Sequence, residues 1–329
     1  MNATYDYACG AGGTLAADSA ILPIAANLDP QIDMIISGHT HQPYVCNVPD
    51  PKGQQRLVTS ASSFGRLFTE TNLTYDRRTQ DIVRASVKGS NMIVSRDVPK
   101  AADETALIAT YKTLIAPIAN KELGTISADL TRTQSAAGES TLGDLIADAQ
   151  VNDPSVISAG VKPVVAFMNP GGIRADLTFA KTDPPETVNG IVRYEEAFTV
   201  QPFNNYLVSM DVTGADIWSL LQQQWSGPNA GSGTKFLQIS NGLHYTWSGA
   251  PGAQAVSAVS IGGVPVANDA SASYRIVTNN FLSDGGDNFA AFKNGTGKYF
   301  GGLDIDGFAA YLPTVSPYSA LPLDRITKN

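Results

Sequence analysis

Residues 163–174 read PVVAFMNPGGIR. The unbroken apolar run ends abruptly at Asn169, which is the pattern of a short buried strand. Pro170 offers no backbone N–H, and Gly171 and Gly172 let the main chain turn and come close to a ligand. The strand therefore runs straight into a tight loop. Asn169 can both donate and accept hydrogen bonds, and Arg174 offers a planar fork suited to phosphate or carboxylate. A tight turn carrying a surface arginine is the plainer reading of the same residues.

Working outward, a helix is predicted from Ser140-Thr141, with Leu142, Leu145, Ile146 and Ala149 on one face. Residues 206–212 read as a strand, after which Thr213 caps a helix carrying Ile217, Leu220 and Leu221. Residues 273–279, SYRIVTN, make a last clear strand before Asn280, Phe281 and the glycine loop Gly285-Gly286-Asp287. A ring such as Phe281 can stack on a nucleobase, Phe203 can supply a second face, and Asp287 can accept bonds from two ribose hydroxyls. The alternative for both phenylalanines is core packing, since an apolar ring beside a strand is usually buried. Gly and Ser cluster at 226–234 and 248–252, read as surface loops. His244, in the strand-like GLHYTW, reads as structural.

Upstream, residues 31–37 (QIDMIIS) have the pattern of a buried strand and run directly into Gly38-His39-Thr40-His41. Two imidazoles two residues apart on a tight loop can aim at one small volume, as a metal site needs. Two surface histidines on a turn are the alternative. Residues 67–75 put Leu67, Thr69, Thr71, Leu73 and Tyr75 on one face at period two, and 81–89 read as the return strand of a hairpin. A helix is predicted over 103–118 from Leu107, Ile108, Tyr111, Leu114, Ile115 and Ile118, with Pro117 kinking or ending it. This helix is the expected junction between a first domain, 1–97, and a second, 98–329. The two cysteines, Cys9 and Cys46, fit either a buried reduced pair or one disulfide, which would place the protein outside the cytosol.

The chain has 329 residues, enough for two domains with sizeable cores. Its 22 basic and 30 acidic residues give a net charge of −8. That balance argues against nucleic-acid partners, whose binding rests on phosphate neutralisation by Lys and Arg. No apolar run reaches the roughly 18 residues that would span a bilayer. The opening, MNATYDYACGAGG, shows no signal-peptide pattern and no early strand–loop–helix unit, so the chain is expected to start inside a domain.

Taken together, GHTHQPY (38–44), STLGDLIADA (140–149), NPGGIRADL (169–177), FTVQPFNNYLVSMDVTGADI (198–217) and YRIVTNNFLSDGGDNF (274–289) resemble the 5′-nucleotidase family, with its UDP-sugar hydrolases and 2′,3′-cyclic phosphodiesterases. The resemblance implies an α+β fold. A C-terminal nucleoside-binding domain would be preceded by the last portion of a metallophosphoesterase αββα sandwich. It implies hydrolysis of nucleotide phosphomonoesters by in-line attack at two divalent metals, zinc or manganese. Cyclic phosphodiester or nucleotide-sugar hydrolysis, and a nucleoside-binding or scaffold module without catalysis, remain alternatives. His39 and His41 would be metal ligands. Asn169, Gly171, Gly172, Arg174, Phe203, Phe281 and Asp287 would bind substrate, with the rings around the base and Asp287 on the ribose. The family's catalytic His–Asp pair and earlier metal motifs match nothing upstream of residue 38, so the chain is expected to be inactive alone and to associate with itself through exposed sheet edges. One departure stands out: where the family often carries an arginine before the STLGDL helix, this chain has Ala136 and Ala137. The resemblance also implies an extracellular, cell-wall or periplasmic protein.

Overall fold

The structure is a computed structural model, and it describes residues 9, 15, 19–181, 188–231 and 235–329. The chain divides into two compact units, Met1–Leu107 and Ile108–Asn329. That division falls inside the helix Ala102–Ala119, ten residues beyond the boundary drawn from sequence.

In the first unit, a three-stranded sheet runs in the order Met34–Ile36, Gln55–Ala61, Pro43–Pro49. The Met34 strand is parallel to its neighbour and forms an edge. It is not the buried strand its sequence suggested: Met34 and Ile35 are half-buried and Ile36 is 81% exposed. An apolar run fits an edge as readily as a centre, and only pairing on both sides would have buried it. The Cys9–Cys46 disulfide is formed. Arg56 is fully buried and donates to the carbonyls of Ala25, Ile32 and Asp29, closing the C-terminal end of the helix Ile21–Asn27.

The hairpin of this unit pairs differently from the expectation. Leu67–Asn72 pairs with Lys88–Ile93, and residues 81–82 pair only with Tyr75–Asp76. Between them, Arg84 turns inward in a 3-10 turn and bonds both Asp33 (3.0 Å) and Asp50 (2.6 Å), which interrupts the ladder. The helix Ala102–Ala119 continues two residues past Pro117, because proline in the last turn disturbs few later bonds. Its six apolar positions are all exposed, Leu114 by 68%, so the periodicity gave the helix correctly but not its burial.

The second unit is built on a mixed five-stranded sheet. Its order is Gln238–Ile239, Val165–Met168, Ser273–Asn279, Tyr206–Thr213, Thr296–Leu303. The Val165 and Ser273 strands are parallel, and the Tyr206 strand is antiparallel to both of its neighbours. All four residues of the Val165 strand are buried, as its composition predicts. The helix Thr141–Asn152 lies against this sheet with ten consecutive residues buried. Ser140 caps it by accepting the Gly143 N–H at 3.2 Å. Gly143 is required there, since a Cβ would come within 2.4 Å of the Gln238 side chain, whose Oε1 accepts from Ser140 N (2.8 Å). Thr213 and Asp216 form the reciprocal cap of the helix Gly214–Gln222. A four-stranded sheet, Val264–Pro265, Ala255–Ile261, Leu243–Ser248, Ile326–Lys328, completes the unit and carries His244.

Candidate functional site

Strand register decides which loops meet. Leu207 lies opposite Asn279, so the start of the Tyr206 strand and the end of the Ser273 strand share one edge of the sheet. The Val165 strand runs parallel to the Ser273 strand, so its own end, at Asn169, lies on that edge as well. Phe203 enters the edge from one strand, Phe281 leaves it from another, and the Asn169 loop leaves from the third.

Side-chain bonds then tie the loops together. Asn279 Nδ2 donates to Asn169 Oδ1 (3.0 Å), and Asn169 Nδ2 donates to Asp287 Oδ2 (3.1 Å). The other Asp287 oxygen pairs with the Lys235 ammonium. Asn229 Nδ2 donates to the Asp287 carbonyl (2.8 Å), and Asn288 Nδ2 to Asn229 Oδ1 (3.1 Å). The Tyr206 N–H donates to Asn280 Oδ1 (2.9 Å), joining the two segments that hold the phenylalanines. Asp287 and Asn288 both have positive φ, 53° and 66°, in a turn led by Gly285. Asp and Asn tolerate that region better than most side chains, and here it turns the carboxylate toward Asn169.

The two rings are not core residues. Phe203 is 53% exposed and Phe281 is 42% exposed. The Arg174 guanidinium lies 5.6 Å from the Phe203 ring centroid, close enough for a cation–π contact. Arg174 also donates to the Gly171 carbonyl (3.0 Å), and its own N–H bonds Val200 O (2.8 Å). Behind Phe281, Gly286 is needed: a Cβ there would lie 2.6 Å from the ring. Gly172 leaves room for Asn169 and Met168, whose atoms would stand 3.1 and 2.4 Å from an added Cβ. An open cleft of about 500 Å³ is lined by Arg132, Thr133, Gln134, Pro170, Gly171 and Lys235.

All seven residues expected to bind substrate therefore lie on one sheet edge. Reasoning from sequence missed Lys235, Asn229 and Arg132. Asn229 sits in a Gly-Ser stretch read as a passive surface loop, and residues 232–234 of that stretch lie outside the described residues. Arg132, whose Nη1 donates to Arg174 O (2.8 Å), could have been found as the cation nearest before the TQSAAGES segment.

The histidine pair is different. His39 is exposed and His41 half-buried, on the loop after Met34–Ile36. Gly38 O accepts the Thr40 N–H at 2.8 Å, and His39 and His41 hold positive φ, 69° and 60°, at a cost of about 1–2 kcal/mol each. His41 meets Phe64 edge-on, ring centroids 5.7 Å apart. Among the described residues, no group of three or more His, Cys, Asp or Glu is placed to hold a metal. Two imidazoles are an incomplete donor set for the four or more ligands such ions take. His39 and His41 could therefore supply only part of the two-metal centre that the resemblance implies for the complete enzyme.

Among the described residues, no helix is long and apolar enough to cross a membrane. Comparison with known proteins adds four findings. The family model "5'-nucleotidase, C-terminal domain" matches residues 116–294. A cell wall protein of Listeria monocytogenes is 33% identical over 85% of this chain and 35% of its own length. The trifunctional nucleotide phosphoesterase of Bacillus subtilis is 28% identical over 85% of this chain and 19% of its own. The crystal structure of a 5′-nucleotidase precursor from Thermus thermophilus superposes with a TM-score of 0.63 at 26% identity, covering 94% of this chain and 61% of that one. The chain spans about a third or less of the length of these two relatives.

Proposed function

The chain belongs to the 5′-nucleotidase C-terminal domain family, and on that premise we propose that its second unit binds a nucleotide and presents the phosphate for hydrolysis. Phe203 and Phe281 take the two faces of the base. Asp287 accepts the ribose hydroxyls, with Asn169 fixing the orientation of its carboxylate. Gly171 and Gly172 let the backbone approach the sugar, and Arg174 faces the anionic end. One observation carries this reading: three strand ends share an edge by register and deliver two exposed rings, a carboxylate and a cation to it. Exposed rings that leave a sheet together suit stacking on a planar ligand, worth about 1–3 kcal/mol per base.

The first unit, within residues 1–97, is proposed to be part of a metallophosphoesterase domain, with His39 and His41 as two of its ligands. Because these two do not complete a centre, no bond-breaking step is assigned to this chain. The whole protein is proposed to be a divalent-metal-dependent nucleotide phosphohydrolase, and this chain its substrate-holding part. The Cys9–Cys46 disulfide and a cell wall relative support an extracellular setting.

Adenosine titration followed by NMR tests the binding reading. Saturable shifts at the sheet edge, lost on Phe281→Ala, are expected; the absence of saturable shifts sinks it. Incubation with AMP and Mn²⁺ tests the second part: phosphate release at rates typical of enzymes, about 1–1000 per second, refutes the view that this chain holds substrate without cleaving it.

A further inference from the structure

The Asp287 carboxylate is engaged at both oxygens by this chain's own side chains. One oxygen takes the Asn169 amide and the other the Lys235 ammonium. Both side chains are partly shielded, Asp287 with 17% and Lys235 with 30% of its surface exposed. A vicinal diol that binds Asp287 competes with Asn169 and Lys235 for the acceptor positions on its two oxygens.

Lys235 also lines the open cleft beside the Gly171 loop. The six residues lining that cleft include two cations, Arg132 and Lys235, and no carboxylate. A lysine ammonium is a compact charge on a flexible four-carbon stem, able to exchange one counter-ion for another a few ångströms away.

We infer that Lys235 is a counter-ion switch that makes the site select phosphorylated over unphosphorylated nucleosides. This rests on the nucleotide-binding reading above and names a discriminating residue for it. Lys235 neutralises Asp287 through their ion pair. Ribose hydroxyls release it, and the freed ammonium then needs an anion. A phosphate on the same ligand, lying toward the Gly171 cleft, supplies that anion. A neutral nucleoside breaks the pair and supplies none. The Lys235–Asp287 contact therefore opposes nucleoside binding, while the same lysine favours nucleotide binding.

The test uses the full chain in metal-free buffer, titrated with AMP and with adenosine. Lys235→Met should weaken AMP by about tenfold, the usual scale of one charge-assisted contact. The same variant should tighten adenosine by about two- to fivefold, since a partly exposed ion pair no longer has to open. Lys235→Arg should keep the wild-type preference. Raising salt should weaken AMP on the wild type and leave adenosine unchanged or slightly tighter. A purely structural lysine moves both ligands the same way, and that result overturns the switch while leaving nucleotide binding intact. Failure of the wild type to bind either ligand overturns the nucleotide reading and the switch with it.

Discussion

The Asn169 edge and the His39–His41 loop hold their polar groups in different ways. At the edge, Asn169 is fixed by Asn279, Asp287 by Asn169 and Lys235, and Asn229 by Asn288, so each group is bound by a side chain from another segment. At the loop, two imidazoles sit in a left-handed backbone conformation, and the ring contact of His41 is with Phe64, an exposed apolar residue. The first arrangement is held in place by this chain's own residues, as the proposed binding role requires. The second stores backbone strain without a donor set among the described residues to use it. Binding and bond cleavage are therefore proposed to be separable properties in this family, with the binding half present here.

Three changes would break or sharpen this contrast. The largest should come from reducing the Cys9–Cys46 disulfide, which closes a separation of 37 residues. On the chain-entropy argument, its loss should destabilise the first unit by about 3–4 kcal/mol. Hydrogen exchange should then quicken in the Pro43–Pro49 and Gln55–Ala61 strands and stay unchanged in the Val165 and Ser273 strands. Equal acceleration in both sets would mean that the units do not hold their structures independently.

The next effect is on binding. Asp287→Ala removes the proposed acceptor for the ribose hydroxyls and strips Asn169 and Lys235 of a partner, so adenosine affinity should fall by about ten- to fiftyfold. His39→Ala and His41→Ala should leave adenosine affinity within about twofold of wild type. Isothermal titration of the three variants separates the regions. A histidine variant that loses nucleoside affinity as Asp287→Ala does would erase the distinction drawn here.

Much of the second unit was legible in the sequence, because buried strands announce themselves by composition. PVVAFM and SYRIVTN became strands where expected, and the loops that follow them carry Asn169 and Phe281. What the sequence could not give was pairing. Whether QIDMIIS lay at a centre or an edge, and whether residues 67–75 paired with 81–89 or with 88–93, depended on partners and on an inward-turning Arg84. Lys235 was invisible for the same reason: its pairing with Asp287 spans 52 residues, with no local pattern to mark it.

The smallest expected effect concerns polar groups of the second unit that no ligand reaches. Asp144 and Asp148 lie one turn apart on the buried helix Thr141–Asn152, with Glu139 just before it and Arg325 facing them. Arg325 grips Asp148 through two bonds, 2.9 and 2.8 Å, and Glu139 accepts the backbone N–H groups of Ile326 (3.0 Å) and Arg325 (3.3 Å). Asp144 has Arg325 Nε at 3.8 Å and lies against the Glu139 carboxyl. Burial, reinforced by the neighbouring Glu139 and Asp148 carboxylates and only partly opposed by Arg325, pushes its pKa from 3.8 up to about 9. Between those two values the folded chain holds a proton that the unfolded chain has released. The group's stabilising contribution is complete below about pH 4 and is lost as the pH rises toward 9. Asp144→Asn keeps the shape and has no proton to lose. Its stability relative to wild type should therefore climb with pH, reaching an advantage of about 1 kcal/mol or more near pH 8. Urea unfolding at pH 5 and pH 8 checks the slope. An advantage that is flat with pH, or a loss at pH 8, would show that Asp144 is charged and paired with Arg325. The sealed cluster and the ligand-facing Asp287 would then obey the same rule, and burial would not be what separates structural carboxylates from binding ones in this unit.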